Sequence, residues 1–147
     1  MKRLLLIIIA LMLSAWTMSA QSRLQVGAVF DGKVVPAKQM KETFIQGGQL
    51  QPYNLKQYRS VSLTVDDAVL AEVTRRVLAD AETATDQEVH YQGGNLIYAI
   101  LTFQGDTGDN RYVCFQCSTK AGRHSITLVY MTGPATLDDL KKLFKTK

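Results

Sequence analysis

Between positions 87 and 131 the chain alternates apolar and polar side chains in four successive segments, 87–91, 96–103, 112–119 and 125–131, each a candidate strand. The links between them are Gly93-Gly94, a loop over 105–110 and a turn over 120–123. Parallel neighbours need a crossover of a dozen residues or more, so segments joined this tightly form an antiparallel meander. The last pair can be checked for register. With Ala121-Gly122 as a two-residue turn, Cys117 faces Ile126, Phe115 faces Leu128 and Val113 faces Tyr130, which makes one face wholly apolar. The other face pairs Ser118 with Ser125, Gln116 with Thr127, Cys114 with Val129 and Tyr112 with Met131, a semi-polar and partly covered surface.

Upstream, Leu24, Val26, Ala28 and Phe30 alternate with polar or small residues up to the Asp31-Gly32 turn signal, the pattern of a half-buried strand. The stretch 34–45 fits either a short helix on Met40, Phe44 and Ile45 or a strand over 43–46, and the strand is preferred. Gly47-Gly48 and Pro52 break the chain before Val61, Leu63 and Val65 set the next strand. At Asp66 the period lengthens: Val69, Leu70, Val73, Val77 and Ala81 share one arc, with Glu72 and Arg75 opposite, which predicts a helix capped by Asp66 and favoured by Asp67. After Gly133-Pro134, Thr136-Leu137-Asp138-Asp139 has the Ser/Thr-x-x-acid form of a helix start. Leu137, Leu140, Leu143 and Phe144 supply its apolar stripe, and Lys141, Lys142, Lys145 and Lys147 lie where the dipole favours cations. These elements describe an α+β fold: an antiparallel sheet with a C-terminal four-strand meander, one long helix and one short C-terminal helix, both over one face. A βαβ dinucleotide fold is not supported.

Met1-Lys2-Arg3, a run over 4–13 without a polar side chain, and smaller residues up to Ala20 follow the order of a secretory signal peptide over 1–20. The run is shorter than the roughly 18 to 20 residues that span a bilayer, so no transmembrane segment is expected after cleavage. Residues 21–147 then form a single exported domain, periplasmic or on the cell surface. It is long enough to bury about two thirds of its unfolded surface without disulfides. The 46% hydrophobic and 20% charged content is that of an ordinary globular chain. Of the +4 net charge, Lys2 and Arg3 belong to the leader, and the remaining +2 gives no reason to expect nucleic acid.

Few residues invite a chemical reading. Cys114-Phe115-Gln116-Cys117 has redox or zinc spacing, but on a strand the two Cα atoms lie about 10 Å apart on opposite faces, beyond the roughly 7 Å limit for a disulfide. Cys117 is then a core residue and Cys114 a partly covered thiol. His90 and His124 would have to join both cysteines to make a zinc site, yet they sit in different hairpins, with His124 beside Thr119. Asp106, Asp109 and Asn110 are oxygen donors in a Gly-rich loop without EF-hand spacing, better read as a solvated turn. Gly47-Gly48-Gln49 spells the release-factor tripeptide by coincidence. No Gly-x-Ser-x-Gly or phosphate-binding glycine loop occurs. Tyr53, Tyr58, Tyr91, Tyr98, Tyr112 and Tyr130 are numerous enough to line a binding face, although strand packing explains them as well.

The segments Leu50-Gln51-Pro52-Tyr53-Asn54-Leu55, Tyr58-Arg59-Ser60-Val61, Glu88-Val89, Asn110-Arg111-Tyr112 and Leu128-Val129-Tyr130-Met131-x-Gly133 resemble those of a family of small exported proteins of unknown function from gut-dwelling Gram-negative bacteria. The resemblance implies an envelope location and carries no catalytic residue across. With no catalytic, cofactor or metal residues assigned, the expectation is a non-enzymatic domain that binds an envelope protein, a surface polymer or a small ligand through a sheet face or an edge strand. The alternatives are a small hydrolase or metal-dependent enzyme using Asp106, Asp109 and His124, and an exported thiol or metal carrier using Cys114 and Cys117.

Overall fold

The computed structural model describes residues 24–105 and 108–145, with side chains described as far as Lys142. The expected leader over 1–20, Asp106, and the side chains of Leu143, Phe144, Lys145 and Lys147 lie outside the described residues. Six strands form one sheet: β1 (Lys41–Gln46), β2 (Gln57–Val65), β3 (Asp86–Gln92), β4 (Asn95–Gln104), β5 (Asn110–Lys120) and β6 (Arg123–Gly133). Their order is β1-β2-β6-β5-β4-β3, and every neighbouring pair is antiparallel. All seven residue pairs expected in the last hairpin are present. Its turn holds Ala121 at φ 54° and Gly122 at φ 76°, the doubly positive form that suits the twist of a two-residue hairpin.

Among the described residues, three α-helices accompany the sheet: α1 (Gly27–Phe30), α2 (Asp67–Ala81) and α3 (Leu137–Lys145). Helix α2 carries the chain from β2 to β3 across four strand intervals. Fifteen residues at 1.5 Å each span about 22 Å, close to the roughly 19 Å of four intervals. The Asp66 carboxylate accepts the Val69 N–H at 3.0 Å, the expected cap. At α3, Thr136 Oγ1 accepts the Asp139 N–H and Asp139 returns the bond to the Thr136 N–H, a complete capping box.

Two expectations are corrected. The segment 24–30 is not a strand but a turn leading into α1. Val26, Val29 and Phe30, spaced i, i+3 and i+4, are all buried, and this spacing competes with the alternation read from the sequence. The N–H groups of Gln25 and Val26 are bonded not to a strand but to the Asp80 carboxylate of α2, at 2.8 and 3.0 Å. Secondly, the helices do not share a face. Val73, Val77 and Ala81 of α2 pack with Val61, Leu63, Val113, Phe115, Ile126 and Leu128 on one side. Leu140 of α3 packs with Ile100, Tyr112, Cys114, Val129 and Met131, the alternate residues of the same strands, on the other. Leu50 and Leu55, from the 3-10 segment Gly48–Tyr53 and the turn after it, complete this second core. What read as a semi-polar face is therefore two regions, an apolar half beneath α3 and a polar half beyond it.

Candidate functional site

The polar half of the second face is left uncovered. Alternation places Ser62 and Thr64 of β2, Ser125 and Thr127 of β6, and Gln116 and Ser118 of β5 on this side, because their neighbours Val61, Leu63, Ile126, Leu128, Phe115 and Cys117 belong to the first core. Five of the six are exposed and Thr127 is half-buried. None of these six side chains bonds to another group among the described residues, so their hydroxyl and amide capacity is open to solvent.

The border of this plate is defined by side chains of distinct chemistry. On the β4 and β3 side, Tyr98 and His90 pair across the strands with ring centroids 5.4 Å apart and planes inclined at 54°. Burial, helped by the nearby Cys114 and Glu88, pushes the Tyr98 phenol up to about 12 and keeps it a protonated donor at neutral pH. Beside it, Glu88 accepts from Lys141 of α3 at 2.9 Å and lies 3.2 Å from His90 Nε2. The Lys141 bond, then the His90 bond, holds the Glu88 carboxyl below its ordinary range. At the free end, Lys120 and Arg123 stand opposite each other on β5 and β6, and Lys41 lies on β1 opposite Ser62. Lys41, Lys120 and Arg123 have no ion-pair partner among the described residues. Arg123 reaches only the Thr64 carbonyl, at 3.4 Å.

The structure scatters the residues singled out in the sequence. Cys114 and Cys117 are free and belong to opposite cores, as the strand spacing required. Their burial is the reverse of the expectation. Cys114 is sealed beneath the second core and its thiol is pushed up to about 12 by desolvation, whereas Cys117 is half-buried. His90 and His124 lie in separate hairpins. Asp109 pairs with Lys56 at 2.8 Å and Asn110 donates to the Ala135 carbonyl, at the end of the β5–β6 hairpin remote from His124. Eleven residues of β5 separate these ends by about 33 Å, so Asp109 and His124 do not form one site. Gly47, Gly48 and Lys56 help line a shallow surface depression beside Pro134. Tyr112 and Tyr130 are buried, and Tyr53 and Tyr91 are the two most exposed tyrosines.

His124 forms a junction of which the sequence revealed only the Thr119 half. Its Nδ1 lies 2.8 Å from Thr119 Oγ1, and its Nε2 meets Asp67 in the first turn of α2. Nε2–H donating to the carboxylate and Nδ1 accepting the threonine hydroxyl is a consistent neutral arrangement. Although it resembles a hydroxyl–imidazole–carboxylate relay, the Asp67 side chain is 94% exposed and lies in water rather than enclosed beside the imidazole. The junction instead anchors the start of α2 to the tip of the last hairpin. The β5–β6 hairpin sets Thr119 beside His124, as its register in the sequence required, whereas Asp67 arrives through the pairing of β6 with β2, which no spacing in the sequence signals.

A sequence pattern characteristic of one protein family covers residues 13–144. The chain belongs to DUF6108, a family of unknown function. The DUF6108 match takes in all six strands, helix α2, helix α3 except its last residue, and every residue of the polar plate and its border. No curated protein matches the chain.

Proposed function

We propose that the protein is an exported, non-enzymatic binding domain of the cell envelope that holds its partner on the uncovered half of the second sheet face. One observation carries this reading: half of one sheet face is left open, and it bears uncharged hydrogen-bonding side chains that bond to nothing else among the described residues. The plate itself is neutral, and charge appears only around it. The leader-like start over 1–20 supports export.

Two measurements test the proposal. The intact mass of protein recovered from the envelope fraction should correspond to a chain beginning near Gln21, and a full-length mass in the cytoplasm would overturn export. A photo-crosslinking residue placed at Ser62 or Thr127 should form adducts in living cells, while one at the exposed Ala71 of α2 should not. Equal yields from all three positions would remove the face as the binding surface. Turnover in a hydrolase panel that disappears in His124→Ala would replace the binding reading with an enzymatic one.

A further inference from the structure

We infer that the open plate is a site for an acidic polysaccharide, a deduction that rests on the binding role proposed above for the same surface. The plate interior offers only hydroxyl and amide groups, in flat rows spaced about 4.8 Å across the strands. Such rows match the hydroxyl edges of a sugar chain, group against group. A protein partner is disfavoured because stable interfaces need an apolar, aromatic centre, and no aliphatic side chain lies among the six central residues. Tyr98 and His90 supply ring surface at one margin only, where a pyranose face can stack.

Charge complementarity makes the glycan acidic. Lys41, Lys120 and Arg123 form an arc around the free end of the plate without ion-pair partners among the described residues. On the strands, Glu88 is the carboxylate nearest the plate on this face, and Lys141 already neutralises it. Asp66 and Asp67, just beyond β2, are engaged on the opposite side with the α2 N-terminus and His124. From Lys41 on β1 to Lys120 on β5 is three strand intervals and two rows along, about 20 Å. That separation is too wide for one small anion and suits carboxylates repeated along a polymer.

The test uses the mature full-length protein with three probes: polygalacturonate oligosaccharides, the same oligosaccharides fully methyl-esterified, and polyphosphate. Polygalacturonate should bind with an affinity that falls as salt rises. Lys41→Glu and Lys120→Glu together should weaken it at least tenfold, and Ser62→Trp should abolish it while leaving the circular dichroism spectrum and melting temperature unchanged. Equal affinity for the methyl ester would show the cationic arc idle, and equal affinity for polyphosphate would show that sugar is not read. Either result overturns the assignment. Absence of binding to every probe, with crosslinks still formed from positions 62 and 127, would reject the ligand class while the face stands as the binding surface. Loss of those crosslinks as well would reject both.

Discussion

Asp80 shows how one side chain fixes a segment whose own pattern points elsewhere. Its buried carboxylate takes both the Gln25 and Val26 N–H groups, while Arg76 of the same helix donates to the Gln25 carbonyl at 3.1 Å. Burial pushes the Asp80 carboxyl up, against the downward pull of the two N–H bonds and of Arg76. A carboxyl raised in the folded state contributes stability that is full below its unfolded value and lost as pH rises through the folded value. Asp80→Asn should therefore flatten the stability profile measured by urea unfolding from the ordinary carboxylate range upward. Asp80→Ala, which strands two N–H groups, should cost about 1–3 kcal/mol in the same measurement. The two cysteines give a second prediction at this scale. Iodoacetamide should modify only Cys117 in the native protein, and Cys114 only after denaturation, as read by mass spectrometry. Labelling of Cys114 without denaturant would show that the second core opens readily.

At the scale of elements, the β5–β6 hairpin was legible to the residue because its turn is two residues long and only one register buries an apolar face. Helix α2 was legible for the same kind of reason, a long stripe with a polar cap. The segment 24–30 was not, since Val26 and Phe30 are buried in either a four-residue helix or a short strand and the deciding contact is Asp80, more than fifty positions away. The plate was half legible. Its polar members appear in the paired register of the last hairpin, but where the cover ends depends on how α3 docks, and neither the hairpin nor α3 encodes that alone. The same hairpin contains a correctable strain. Ala121 sits at φ 54°, a left-handed conformation that a non-glycine residue adopts at a cost and that asparagine tolerates better. Ala121→Asn should raise the unfolding free energy by about 0.5–1 kcal/mol, and an unchanged or lower denaturation midpoint would show that the turn relaxes in solution.

Across the whole molecule, one sheet serves two separate cores of unequal size. The first holds α1, α2 and five strands, whereas the second rests on Leu50, Leu55, Ala135 and Leu140 packed over the alternate residues of the middle strands. The open plate borders the smaller core, but its strands are packed against the larger one through Val61, Leu63, Phe115, Ile126 and Leu128. Loosening α3 should therefore leave the plate in place. Leu140→Ala removes a fully buried side chain and should cost about 2–5 kcal/mol, with faster amide exchange across α3 than across α2. The chemical shifts of Ser62, Gln116 and Thr127 should stay close to those of the parent protein at temperatures where α3 is already exchanging. Collapse of those shifts together with the α3 amides would instead mean that the two cores fold as one cooperative unit, and that the surface depends on both of its supporting helices.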